Sequence, residues 1–150
     1  MSPSKNGDFL YLMRILEHIG KIWIYVKDIK NAHELSEEND QKELNAILTL
    51  LSNIGENITK ISESTKLEYA QIPWKEIKGF RNKIVHEYIG IDVEMVYKII
   101  TKDLKILKPE ISKIIKNRLN EGIFEIECLQ NCMNNKYYKH IDFDEIIKEQ

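Results

Sequence analysis

The chain contains few of the residues that interrupt helices, with three prolines and six glycines among 150 residues. Long stretches contain neither residue, which favours helices over a turn-rich β fold. The sequence also lacks any apolar run close to the roughly 20 residues that a membrane-spanning helix needs. Residues 1–8 are polar and contain no signal-peptide core. We therefore expect a cytoplasmic protein that makes no use of a membrane.

Cysteine is scarce and the charges nearly balance. Cys128 and Cys132 are too few for a disulfide framework and are typical of a reducing compartment. The formal net charge of −2 excludes a polycation that would bind nucleic acid indiscriminately. Basic residues nevertheless dominate 75–86 and 98–118, whereas acidic residues dominate 121–150. These clusters are either ordinary solvated helix faces or a local surface for phosphate.

Apolar residues recur at spacings of three and four through most of the chain, as on one face of a helix. Gly55 lies beside such a face, where glycine costs about 1 kcal/mol relative to alanine. We expect a close helix crossing at Gly55, or the approach of another chain, to compensate. The patterns predict five main helices: about 8–30, about 40–64, from Pro73 to about 86–90, after a cap at Asp92, and after a cap at Thr101.

The expected fold is all-α, an up-and-down helical bundle of four to five helices with a short C-terminal helical extension. Pro109 interrupts the last main helix, which we expect to kink there rather than to end. The predicted organisation is a disordered lead-in over 1–7, the bundle over 8–119 and an extension of unknown role over 120–150. Within the extension, helices are predicted over about 124–133 and 142–148.

The side chains best suited to chemistry lie together in Arg81-Asn82-Lys83-Ile84-Val85-His86-Glu87-Tyr88. The guanidinium of Arg81 donates paired hydrogen bonds to phosphate and does not lose its proton. The imidazole of His86 has an ordinary pKa near the working pH, which suits proton transfer. Together the two residues indicate chemistry on a phosphodiester.

Four short sequence features follow one another along the chain: Ile54-Gly55-Glu56, Ile72-Pro73-Trp74, the 81–88 segment and Asp92. They resemble the HepT-like branch of the HEPN superfamily over about 8–119. The resemblance implies a metal-independent endoribonuclease without cofactors, the toxin of a toxin–antitoxin pair. It also implies a homodimer in which two Arg-x4-6-His motifs meet in one cleft and act on RNA. The implied partner is an antitoxin, a minimal nucleotidyltransferase of the MntA type that silences the toxin by AMPylation of a tyrosine.

Carried over by position, Arg81 and His86 are the catalytic pair, Asn82 supports the site, and Tyr88 is the AMPylation site. Two features depart from the family pattern. Tyr97 stands where the family often has tryptophan, and the segment after about residue 120 has no counterpart in the resemblance.

The spacing of the motif indicates whether Arg81 and His86 of one chain can form the catalytic site together. Residues five apart on a regular helix are separated by about 140°, so Arg81 and His86 would not share a face, whereas Asn82 and His86 would. Two copies across a two-fold axis, or a helix that unwinds at His86, would solve this. The dimer is the simpler answer because two-fold pairing is the commonest form of oligomer.

Three further residues are candidates for the same site. Glu56 follows Gly55 and either orients Arg81 or His86 or is an ordinary surface glutamate. Lys78 and Lys83 are candidate RNA contacts.

Two alternatives stay open. Cys128, Cys132 and His140 give a weak zinc signal because their spacing is irregular. The second candidate function is a non-catalytic nucleotide- or substrate-binding subunit that accompanies a nucleotidyltransferase.

Overall fold

Helices make up most of the computed structural model, which describes residues 5–86 and 90–147. Two short strands, β1 (Val85–His86) and β2 (Gly90–Ile91), form one antiparallel pair. The predicted all-α fold is confirmed. The helices are α1 (Phe9–Tyr25), α2 (Ala32–Glu37), α3 (Lys42–Lys60), α4 (Glu63–Glu68), α5 (Trp74–Lys78), α6 (Phe80–Ile84), α7 (Val93–Lys98), α8 (Leu104–Asn120), α9 (Ile126–Met133) and α10 (Phe143–Ile147).

The core forms where α1 packs along α3 and α8 packs against α1. The apolar residues that set the helical spacing in the sequence are the ones that become buried. Full burial of one such side chain contributes about 1.5–3 kcal/mol, so this interface is the main source of stability. Fully buried examples are Leu12 and Ile19 in α1, Ile47, Leu51 and Ile54 in α3, and Ile111 and Ile114 in α8.

The start of α1 is tied to the start of α4 by the buried carboxylate of Asp8. It accepts hydrogen bonds from the backbone N–H of Ser62 at 2.8 Å, the Ser62 hydroxyl at 2.7 Å and the Thr65 hydroxyl at 2.6 Å. Asp8 ends a 3-10 turn over Lys5–Asp8. Residues 1–4 of the predicted lead-in lie outside the described residues.

The chain from α7 to α8 departs from the prediction. Asp92 caps α7 as expected, with its side chain accepting from the backbone N–H of Met95 at 3.0 Å. Thr101 does not cap a new helix, because a π-helical turn over Ile99–Asp103 joins α7 to α8 without a break. The Thr101 hydroxyl instead donates to the carbonyl oxygen of Tyr97 at 2.7 Å. Trp23 donates its indole N–H to the carbonyl oxygen of Ile100 at 3.0 Å, which holds the π turn against α1.

Pro109 lies inside α8, so no new helix begins there. The C-terminal extension packs back onto the bundle through α9, a 3-10 turn over Lys136–Tyr138, and α10. Lys108 of α8 pairs with Glu145 at 3.0 Å, and the rings of Phe9 and Phe124 meet edge to face at 5.3 Å. Within 5–86 and 90–147, no helix is long and apolar enough to cross a bilayer.

Candidate active site

The segment that carries the motif is held against α3 at a close crossing. A Cβ atom on Gly55 would lie 3.0 Å from the carbonyl oxygen of Lys78, so an alanine at this position would require α5 to move by a few tenths of an ångström. The close crossing predicted at Gly55 is therefore confirmed. Buried Ile77, Phe80 and Ile84 anchor α5 and α6 in the core, so the backbone just before the motif is firmly placed.

The predicted third helix is wrong in its extent. It divides at Gly79 into α5 and α6, and α6 ends at Ile84 rather than at 86–90. His86 then pairs with Gly90, and the N–H of Asp92 donates to the carbonyl oxygen of Ile84 at 2.8 Å. These bonds take the backbone groups that would otherwise continue the helix, and the positive φ of Gly90 (92°) permits the return of the chain.

This geometry changes the argument from spacing. The separation of about 140° between Arg81 and His86 assumed a regular helix, and the chain has left the helix before His86. A helix that unwinds before His86 is the second of the two arrangements that would let Arg81 and His86 act together. The requirement for a second copy therefore no longer follows from helix geometry.

The structure describes the side chains of some of the predicted site residues and not of others. Asn82, Lys83 and Lys78 are exposed, so all three are available to a ligand. The amine of Lys83 lies 4.0 Å from a carboxylate oxygen of Glu76 and 6.0 Å from the centre of the Phe80 ring.

The structure describes only the backbone of Arg81 and His86, the predicted catalytic pair. Tyr88 lies outside the described residues. Their roles stay predictions.

Glu56 is exposed and lines a groove between α1 and α3. Its proposed support of Arg81 or His86 also stays a prediction. The groove contains basic and aromatic side chains for which the sequence predicted no functional role. A signal was available: Arg14, His18 and Lys21 are spaced four and three apart, as are Asn53, Asn57 and Lys60.

The residues of the weak zinc signal are not gathered. Cys128 is exposed and Cys132 is buried, and burial raises the pKa of the Cys132 thiol. His140 directs Nδ1 to a carboxylate oxygen of Glu17 at 2.7 Å. In the part of the chain that the structure describes, no three His, Cys, Asp or Glu side chains are grouped as metal ligands.

Comparison with known proteins decides the family. The profile of the family described as Ribonuclease HepT-like matches residues 15–114, about two thirds of the chain. The chain belongs to the HepT-like ribonuclease family. The matched region runs from within α1 to within α8 and includes the whole motif, so the family resemblance seen in the sequence is confirmed.

Relatives of this HepT-like chain are also named as ribonucleases. "Probable ribonuclease HepT" of Thermococcus cleftensis is 33% identical over 103 residues, covering 61% of this chain and 94% of the relative. "Putative RNase MJ1216" of Methanocaldococcus jannaschii is 32% identical over 107 residues, covering 71% of this chain and 86% of the relative. None of the solved structures matches the chain.

A third relative bears on the C-terminal extension. "Gamma-glutamylcyclotransferase and putative RNase MJ0434" of Methanocaldococcus jannaschii is 29% identical over 141 residues. That match covers 94% of this HepT-like chain and 57% of the relative. Similarity of this extent must continue past residue 120, so the extension is shared with at least one relative.

Proposed function

We propose that this chain is a metal-independent endoribonuclease of the cytoplasm that acts as the toxin of a toxin–antitoxin pair. The observation that carries the proposal is membership of the HepT-like ribonuclease family. The presence of Arg81, Asn82 and His86 at the family's motif positions supports catalysis by this chain. The second candidate, a non-catalytic nucleotide- or substrate-binding subunit, would not need the imidazole of His86.

The reaction uses the nucleophile that RNA itself carries. His86 takes the proton from the 2′-hydroxyl, the 2′ oxygen bonds to phosphorus, and the bond from phosphorus to the 5′ oxygen breaks. The leaving 5′ oxygen takes a proton from an acid, which is His86 of a second copy or the protonated His86 after the first transfer. Arg81 holds the phosphate and stabilises the charge that develops on its oxygens. The products are a 2′,3′-cyclic phosphate and a 5′-hydroxyl.

A homodimer remains part of the proposal, resting on the family resemblance. Two copies of the 81–86 segment in one cleft would supply one histidine as base and another as acid. General acid–base help of this kind is worth about 10²–10⁴-fold in rate, so the loss of His86 from both copies is a large and measurable defect.

Control of the activity would come from a partner nucleotidyltransferase of the MntA type. Transfer of AMP to Tyr88 would place a bulky anion two residues from His86. Repulsion of RNA phosphate and steric block would then act together. Tyr88→Phe should remain active as a nuclease and escape this control.

The direct test of catalysis uses the purified chain and a defined RNA with EDTA present. We expect wild type to produce fragments with 2′,3′-cyclic phosphate ends and His86→Ala to lose about 10²–10⁴-fold in rate. His33→Ala is the matched control, because His33 is an exposed histidine on α2. Equal rates for wild type and His86→Ala, or no cleavage by either, would reject the catalytic proposal and favour the binding subunit.

The test of control expresses the chain in a host cell with and without a partner nucleotidyltransferase of the MntA type. Growth arrest by the chain alone, rescued by the partner, is expected for a toxin. Mass spectrometry of the rescued protein should locate AMP on Tyr88. An unmodified Tyr88 in rescued cells would contradict this mode of silencing.

A further inference from the structure

A groove of about 450 Å³ runs between α1 and α3 and is closed on one side by the C-terminal extension. Its walls combine cations, amides and aromatic rings from three parts of the chain. No role in the proposed reaction uses them. The side chains on which the argument depends are Arg14, His18, Lys21, Glu56, Lys60 and Tyr137.

The cations of the groove are held in place. The guanidinium of Arg14 and the amine of Lys60 each lie 5.8 Å from the centre of the Tyr11 ring, so one aromatic ring positions a cation from each helix. Lys21 adds a third cation, two turns further along α1. Seven residues of helix span about 10 Å along the axis, so Arg14 and Lys21 are far enough apart at the backbone to face different phosphates of one strand.

The three cations of the groove outnumber its two carboxylates, Glu17 and Glu56. The Glu17 carboxylate is held by His140, whose backbone N–H and Nδ1 each lie 2.7 Å from one of its oxygens. Glu56, exposed on the rim, is the other carboxylate in the wall.

His18 is partly buried between the cations of α1. The pKa of His18 is lowered to about 4, first by burial and then by the positive charges of Lys21 and Arg14. Its Nδ1 is buried and has no hydrogen-bond partner among the described residues.

The extension supplies the aromatic part of the groove. Tyr137 is 71% exposed and Tyr138 is half-buried. An exposed tyrosine beside a row of cations is the combination that binds single-stranded nucleic acid, with phosphates on the cations and a base on the ring. Both tyrosines lie in the turn that follows α9, so this feature depends on the extension.

We propose that this groove binds a segment of single-stranded RNA, with its phosphates on Arg14, Lys21 and Lys60 and a base stacked on Tyr137. The choice of RNA rests on the proposed function, whereas the groove and its charges do not. Arg14, Lys21, Lys60 and Tyr137 take no part in the proposed proton transfers, so the groove contributes affinity and not chemistry.

The test measures binding with a fluorescent 2′-O-methyl RNA of about 12 nucleotides, within the usual site size for single strands. This RNA has no free 2′-hydroxyl, so it cannot be cleaved by the proposed reaction. The variant Lys21→Gln/Lys60→Gln removes two groove cations. Lys27→Gln/Lys30→Gln is the matched control, because both lysines are exposed beyond the end of α1 and the charge change is the same.

We expect the groove variant to lower the salt dependence of binding by about 1.4 in the log–log slope, about 0.7 for each lost phosphate contact. The control should keep the wild-type slope. Tyr137→Ala should weaken binding about fivefold or more through the loss of one stacked base. The inference is overturned if the control loses as much as the groove variant, or if neither groove substitution changes binding.

This inference and the proposed function fail in different ways. A wild-type chain that binds the RNA through the groove but does not cleave RNA would reject the nuclease and keep the groove. Cleavage that depends on His86, together with unchanged binding by the groove variants, would reject the groove and keep the nuclease.

Discussion

Glu17 and His140 lie 123 positions apart in the chain, and two hydrogen bonds of 2.7 Å join them. The Glu17 carboxylate is buried in α1, and it accepts from the backbone N–H of His140 through one oxygen while the other meets Nδ1. Gly20, one turn further along α1, leaves the space that the His140 carbonyl occupies. The extension is therefore docked on α1 by a specific polar contact and a matching notch.

Glu17→Ala should release the extension. The substitution leaves the partly buried N–H of His140 without its carboxylate acceptor, and we expect a loss of about 1–3 kcal/mol in the free energy of unfolding. Urea unfolding measures the loss, and faster amide exchange over 136–147 locates it. Glu127→Ala, at an exposed glutamate of α9, is the control. Wild-type exchange over 136–147 in Glu17→Ala would contradict this account.

Gly20→Ala should cost far more than Gly55→Ala. The new Cβ at Gly20 would lie 2.2 Å from the His140 carbonyl oxygen, whereas that at Gly55 would lie 3.0 Å from the Lys78 oxygen. Alanine gains about 1 kcal/mol in helix propensity at either position. We expect a net loss of about 1–3 kcal/mol at Gly20 and a change of less than about 1 kcal/mol at Gly55. Thermal unfolding of both variants checks the order, and equal effects would argue against the notch.

His18 should make the fold less stable in mild acid. Its pKa is about 4 in the folded chain against an ordinary value of 6.5, so between these values the unfolded chain binds more protons and stability falls as the pH falls. Allowing for solvent exposure, we expect a loss of about 1–2 kcal/mol from pH 6.5 to 4. His18→Gln should reduce this loss in urea unfolding, whereas His33→Gln should not. The same pH dependence in wild type and His18→Gln would exclude His18 as its source.

Asp8→Ala should destabilise the whole bundle. Three donors from Ser62 and Thr65 would lose their common acceptor, and we expect a loss of about 3 kcal/mol. For a chain of this size that corresponds to a fall of about 6–12 °C in Tm. Asp28→Ala, at an exposed aspartate, provides the comparison. A Tm within about 1 °C of wild type for Asp8→Ala would show that water replaces the lost acceptor.

The long helices were predictable from apolar spacing, but their ends were not. Val26 is half-buried and continues the spacing of α1, although the backbone has left the helix at that residue. The predicted start of the second helix at about 40 falls where Asn39, Asp40 and Gln41 all have positive φ. A periodic pattern records which side chains face the core and does not record whether the backbone between them is helical.

The errors at Thr101 and His86 have a different origin. A threonine that could cap a helix can equally bond a carbonyl one turn earlier within a continuous helix, as Thr101 does with Tyr97. The end of α6 depends on pairing with Gly90 across the chain reversal, which no local signal before Ile84 reveals. The motif itself could be read from the sequence because it is contiguous. The groove could be read only in part: polar residues of α1 and α3 repeat at helical spacing, but α1, α3 and the turn at 136–138 meet only in the fold.

The π turn over Ile99–Asp103 fixes which face of α8 points towards the core. A π turn is equivalent to one extra residue in an α-helix, and one residue corresponds to a rotation of 100°. Deletion of Thr101 would therefore give a seamless helix and leave α8 facing the core as it does now. The same five residues wound as α-helix, without a deletion, would turn α8 by about 100° relative to α7. Buried Leu107, Ile111 and Ile114 would then leave the core while basic residues of α8 entered it. The chain should therefore tolerate deletion of one residue from this turn better than deletion of one residue from the middle of α8.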